Sequence, residues 1–128
     1  MKALLAIKPE FADKIFSGVK RYEYRKVIFT KKVDKVIIYA SSPVSKVDGE
    51  FTIDNIVKGK PDKVWQETKD YAGITESYFK DYFKGKDIAY AIKIKDCCKY
   101  SKPLSLKDIG VQYAPQSFVY LRKECKHD

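Results

Sequence analysis

From Gly18 to Arg25 the chain reads Gly-Val-Lys-Arg-Tyr-Glu-Tyr-Arg, which sets one carboxylate, Glu23, among the cations Lys20, Arg21 and Arg25. Lysine and arginine offer only donors and positive charge, arginine as a planar fork that also stacks on rings, whereas an ionised carboxylate only accepts. The set suits a mixed ligand. Lys20 and Arg25 neutralise a phosphate, Glu23 accepts from an exocyclic amine, and the two positive charges keep Glu23 ionised. The competing reading is an internal Glu-Lys or Glu-Arg ion pair that only fixes a strand, and the residues by themselves favour it. Other chemistries lack their parts. The only histidine, His127, stands beside the C-terminus, which excludes His-based metal sites and Ser-His-Asp catalysis. Cys97, Cys98 and Cys125 form neither a disulfide framework nor a CxxC knuckle. No glycine-rich phosphate loop occurs. Neither a metal nor a cofactor is expected, and an enzyme here must work with Lys, Arg, Glu, Asp, Tyr, Ser or Cys.

The elements that must position these residues follow from the pattern around them. Ala3 to Ile7 is an apolar run suited to a buried strand. Pro9 opens a helix whose Phe11, Ala12, Ile15 and Phe16 share a face, and Gly18 ends it. Lys20 to Phe29 then alternates, with Arg21, Glu23 and Arg25 on one face and Tyr22, Tyr24 and Lys26 on the other. Strands are predicted over 33–40 and 44–57, the second with a bulge at Gly49. Helices are predicted over 61–71 and 75–83. A strand over 88–95 is either extended or partnered by 97–103, one helical turn fits within 104–109, and 117–121 is a closing strand. This order fits an α+β chain, a small mixed barrel of about five to seven strands with helices packed outside.

The chain has 128 residues, a net charge of +9, 45% hydrophobic and 34% charged residues, with ten Tyr, seven Phe and one Trp. One domain over 1–128 is expected at this length. The charge divides as +6 over 1–35, −1 over 36–85 and +4 over 86–128, so the basicity belongs to the two ends. Barrel closure would bring those ends together as one positive surface, with a solvated lysine face as the plainer alternative. The apolar start stops at Lys8-Pro9, too short for a signal peptide core or a membrane span. With unpaired cysteines, the expected place is the reducing cytoplasm.

The pattern Gly18-x-Lys20-x-x-Glu23-x-Arg25 after a short helix resembles the signature of ASCH domains, members of the superfamily that includes the PUA RNA-binding barrels. The run Ile7-Lys8-Pro9 to Gly18, the segments Val36 to Val44 and Gly49-Glu50-Phe51, and Ala114-Pro115-Gln116-Ser117-Phe118 extend the resemblance over nearly the whole chain. It implies a PUA-like barrel whose motif lines a cleft, and RNA or a nucleotide-like small molecule as partner, in RNA metabolism or regulation. With the resemblance, the ligand reading of Glu23 overtakes the ion-pair reading. The family also holds acetylcytidine amidohydrolases. Lys20 maps onto their lysine, but Glu23 stands in place of their threonine, which removes the hydroxyl that would attack, and their glutamate falls near Glu67 or Asp70. Other members are reported as ribonucleases, for which Lys20 and Glu23 would serve as acid and base.

Further candidates lie at strand ends. Lys8 ends the first strand, Tyr39 runs into Ser41-Ser42, whose hydroxyls suit a phosphate, and Gln116 begins the closing strand. The expected ligand-binding set is therefore Lys8, Lys20, Glu23, Arg25, Tyr39, Ser41, Ser42 and Gln116. Related YTH and EVE domains read modified bases between rings, but a lone Trp on a helical face, Trp65, is read as core packing, and Phe79, Tyr82 and Phe83 follow helical spacing and are read as the helix's buried side. Cys97-Cys98 is read as packing.

Overall fold

The apolar N-terminal run forms strand β1 (Lys2–Ile7), buried on both faces, and Pro9 turns the chain into helix α1 (Pro9–Ser17). Gly18 ends α1 at φ +87°, in the left-handed region that glycine enters without strain. Then come β2 (Tyr22–Arg25), β3 (Lys35–Ala40), β4 (Lys46–Gly59), α2 (Pro61–Thr68), α3 (Glu76–Tyr82), β5 (Ala89–Leu104) and β6 (Phe118–Leu121), with 3-10 turns at Lys69–Tyr71 and Lys107–Ile109. This computed structural model describes residues 1–121, so Cys125 and His127 lie outside the described residues.

The six strands make one sheet in the order β2-β5-β4-β3-β1-β6. Only β1 and β3 run parallel, and the other neighbours are antiparallel. The sheet curls into a half-barrel with the three α-helices packed on it. The expected α+β architecture and strand number are both present. The terminal segments do return beside the first strands, β6 on β1 and β5 on β2. The edges β2 and β6, however, share no ladder.

Period-two alternation sorts the core. Ala3, Leu5 and Ile7 of β1 join Val36 and Ile38 of β3, Phe51, Ile92 and the buried face of α1. Leu4, Ile37, Tyr39 and Val47 pack on the opposite face. Tyr24, Val64, Trp65, Phe79, Phe83, Ala89 and Ala91 hold α2 and α3 to the β2–β5 end. Trp65, Phe79 and Phe83 are core residues, as expected.

Several details differ from the sequence expectation. β2 covers only four residues because its partner β5 begins at Ala89, one residue beyond the Arg25–Tyr90 pair. The segment 97–103 continues β5, the first of the two alternatives, and Cys97 and Cys98 are exposed instead of packed, while Tyr100 and Leu104 of the same strand turn to the core. The register of β4 against β5 shifts between Val47 and Gly49, as a bulge there requires. A side chain at Gly49 would strike the Cys98 carbonyl and the Phe16 ring, the latter at 2.6 Å. Among the described residues no helix is long and apolar enough to cross a membrane.

Candidate functional site

At the C-terminal end of β1 a cleft of about 150 Å³ opens between α1, β2 and α3. Ala6, Ile7 and Lys8 form its floor and rim, Phe11 comes from α1, and Lys20, Glu23, Tyr24 and Arg25 come from the segment after α1. Ile74, Tyr78 and Tyr82 close the far side. Glu23 and Arg25, two residues apart on β2, share one face, as the alternation predicts.

Lys20 is 2% exposed, an unusual position for a primary amine. Its Nζ donates to the Ala72 carbonyl at 2.8 Å and stands over the rings of Tyr24 and Phe11 at 4.8 and 5.3 Å. Three successive carbonyls hold this region: Tyr71 accepts from the Arg21 backbone at 2.9 Å, Ala72 from Lys20, and Gly73 from Lys14 Nζ at 3.2 Å. Gly73 sits at φ +70°, and a Cβ there would overlap the Lys20 Cβ and lie 2.6 Å from its Cγ. The bare glycine is what allows the lysine stem to pass beneath the loop. Burial pulls the Lys20 amine down to about 8, with Glu23 opposing and Lys14 and Arg25 assisting.

Arg25 Nε lies 3.3 Å from Glu23 Oε2, and the two side chains are 11% and 9% exposed. Arg25 Nη2 donates to the Ala6 carbonyl at 2.8 Å. The ion-pair contact lacks hydrogen-bond alignment, so among the described residues Nε is a buried donor with no hydrogen-bond partner.

Rings form most of the remaining wall. Phe11 meets Tyr78 edge to face at 5.3 Å. Lys8 Nζ donates to the Tyr78 hydroxyl at 3.1 Å, and this bond raises the Lys8 pKa above its ordinary value. Tyr24 is fixed from behind by a 2.7 Å bond between its hydroxyl and Thr68 Oγ1, which donates in turn to the Val64 carbonyl at 2.8 Å. Burial raises the Tyr24 hydroxyl to about 12.

Of the expected ligand-binding set, Lys8, Lys20, Glu23 and Arg25 meet in this cleft. Tyr39 is buried on the opposite sheet face with Leu4 and Val47. Ser41 caps the end of β1, its backbone N–H and Oγ both donating to the Ile7 carbonyl, at 2.9 and 3.4 Å. Ser42 and Gln116 are exposed and do not line the cleft. Ile74, Tyr78 and Tyr82 were not in the expected set, nor was Phe11, assigned to the core face of its helix. Tyr82, expected in the core, is half-buried: it packs against Phe83 and also forms part of the cleft wall. The available signal was the i, i+4 spacing of Tyr78 and Tyr82, which puts both rings on one face of α3.

The curled sheet and the motif-lined cleft define a PUA-like protein of the ASCH type, and comparison with known proteins agrees. The chain is 34% identical to the ASCH domain-containing ribonuclease of Zymomonas mobilis, over 96% of this chain and 86% of that protein. The crystal structure of ASCH from Zymomonas mobilis superposes with a TM-score of 0.87 at 33% identity, covering 95% of this chain and 88% of that one. A domain family described as of unknown function, DUF365, matches residues 5–115. The chain belongs to the ASCH domain family. It is also 29% identical to large ribosomal subunit protein uL22 of Ureaplasma parvum over 93% of its own length, and it spans 39% of that longer protein.

Proposed function

We propose that the cleft binds a nucleotide unit of RNA. The observation that carries this is one buried lysine, a buried Glu23 paired with a largely covered Arg25, and a set of ring walls converging on the same opening. Lys20 and Arg25 hold the anionic part, and Arg25 Nε supplies a donor that an acceptor on the ligand would satisfy. Glu23 accepts from an amine or ring N–H of the base, a contact that a bare polyanion cannot offer. Phe11, Tyr78 and Tyr82 supply flat apolar surface, on which a base stacks without regard to sequence. Lys8 adds a positive charge at the rim. The Zymomonas relative, named a ribonuclease, supports RNA as the partner class. Two exposed free thiols, Cys97 and Cys98, suit a cytoplasmic setting.

A second reading, RNA cleavage, is favoured by the Lys20 amine standing near 8 beside the Glu23 charge. In that reading the Glu23 carboxylate takes the proton of a ribose 2′-hydroxyl as it attacks phosphorus. The Lys20 ammonium returns a proton to the departing 5′-oxygen, leaving a cyclic phosphate. Both readings are tested by incubating the purified protein with a panel of RNAs and modified nucleosides and analysing bound material and products by mass spectrometry. Binding with ligand recovered intact, lost in Lys20→Ala, Glu23→Ala and Arg25→Ala, is the expected result. Turnover that disappears in Lys20→Ala while binding partly survives establishes the second reading. Binding indifferent to all three changes overturns the site.

A further inference from the structure

Beyond β2 the chain leaves the sheet as Lys26-Val27-Ile28-Phe29-Thr30-Lys31-Lys32, with no acidic residue in the run. Ile28 and Phe29 turn inward against the core, Phe29 edge-on to Phe118 at 4.9 Å. Lys26, Thr30, Lys31 and Lys32 face outward and are exposed. Tyrosine rings hold two of these lysines in place. Lys26 Nζ stands 4.5 Å from the centre of Tyr82, a cleft wall, and Lys31 Nζ stands 5.1 Å from the centre of Tyr120. The Tyr120 hydroxyl also accepts from the backbone N–H groups of Thr30 and Lys31, at 2.9 and 3.2 Å. Tyr120 pairs with Ala3 of β1, whereas Ala6 of the same strand floors the cleft. The loop therefore extends from the cleft mouth for about 10 Å along β1, at about 3.3 Å per strand residue.

We infer that this loop is a phosphate path for a single strand, so that the nucleotide held in the cleft belongs to a polynucleotide whose flanking phosphates lie on Lys26, Lys31 and Lys32. The inference rests on the nucleotide reading of the cleft. Among the described residues none of these three lysines meets a carboxylate within ion-pair distance, and two of the three are set over tyrosine rings beside the cleft. The nearest acid in sequence, Asp34, is taken by the Met1 amine at 3.1 Å. Charge held in fixed positions and left unpaired beside a ligand cleft is complementary to a backbone that continues out of it. The rings below Lys26 and Lys31 reduce the freedom those side chains lose when a phosphate arrives.

The test compares the wild type with the triple variant Lys26→Ala, Lys31→Ala and Lys32→Ala, using a short fluorescent single-stranded RNA, a nucleoside 5′-monophosphate and a polyglutamate peptide. The loop bonds to Tyr120 come from backbone and survive these changes. The RNA should bind the variant about tenfold or more weakly, with the slope of log affinity against log salt reduced by about 2 for three lost contacts. Monophosphate affinity should stay unchanged in the double variant Lys31→Ala and Lys32→Ala, as should RNA affinity in a control carrying Lys102→Ala on the distal part of β5 and Lys107→Ala on the 3-10 turn after it. RNA affinity that survives in the triple variant overturns the path while leaving the cleft reading intact. Equal loss of polyglutamate binding overturns it as well, because the loop would then attract any polyanion. A wild type that binds neither RNA nor monophosphate removes the cleft reading, and the path with it.

Discussion

Arg25 joins β2 to β1 through a 2.8 Å hydrogen bond from Nη2 to the Ala6 carbonyl, although four places in the sheet order separate these two strands and β2 shares no ladder with either β1 or β6. One side chain thus braces the open side of the curl, and the same guanidinium carries the cleft's unpartnered donor. Fold and site share a residue.

Replacing that fork shows how much the brace contributes. Arg25→Lys keeps the charge but cannot serve Ala6 and Glu23 with one planar group, and it should lower unfolding free energy by about 1–3 kcal/mol. Arg25→Ala should cost more, because it leaves the Glu23 carboxylate buried without its partner. Urea denaturation measures both, and an unchanged midpoint in Arg25→Lys would show that the brace is idle.

Gly73 and Gly18 make a matched pair. Both have positive φ, but a Cβ at Gly18 meets nothing within 4 Å, whereas one at Gly73 runs into the stem of Lys20. Gly18→Ala should cost about 1 kcal/mol from backbone conformation alone. Gly73→Ala should cost more than that and also weaken nucleotide binding by displacing the amine. Thermal melts with a binding titration separate the two effects; equal melting shifts with intact binding would count against the contact.

The pH response follows from Lys20. Its pKa falls from 10.5 unfolded to about 8 folded, so between those values the unfolded chain binds the extra proton and stability rises with pH. Below about 8 the amine is charged in both states, and the full cost of burying it is present. Above 10 the gain is opposed, because Tyr24 keeps its proton to about 12 when folded and the unfolded chain loses it first. Wild-type stability should therefore climb from pH 8 to 10, and Lys20→Met should flatten the climb. Affinity for a phosphate-bearing ligand should run the other way, weakening above pH 8 as the amine loses its charge. Denaturation and binding series at several pH values decide both, and a climb preserved in Lys20→Met would assign it to another group.

The pair behind the cleft wall offers a local control. Tyr24→Phe leaves Thr68 bonded to the Val64 carbonyl and should cost about 1 kcal/mol. Thr68→Val leaves a buried tyrosine hydroxyl without its partner and should cost about 2 kcal/mol. The reverse order in denaturant would mean that the Tyr24 hydroxyl finds another partner.

How much of this was legible depended on whether a feature is local. Pro9, Gly18 and the apolar run of β1 declare their structure within a few residues, and so do the alternation that pairs Glu23 with Arg25 and the motif that singles out Lys20. The cleft wall was not legible in the same way. Tyr82 looks like the buried side of a helix and Tyr78 carries no signal of its own, and only the docking of α3 across from Lys8 turns them toward an opening. Tyr39 illustrates the converse: it lies on a strand that runs into two serines, but period two sends its ring to the other sheet face. The end of β2 was set by where β5 begins, a boundary that its own residues do not contain.

The separations across the cleft have a consequence for how the protein comes into being. Lys8 reaches Tyr78 across 70 positions, and Lys20 reaches Ala72 across 52. No early fragment of the nascent chain holds both walls, and such distant closures come late and slowly in folding. On the proposed reading, capture of a nucleotide therefore needs a chain that has been made as far as Tyr82 and has closed both walls.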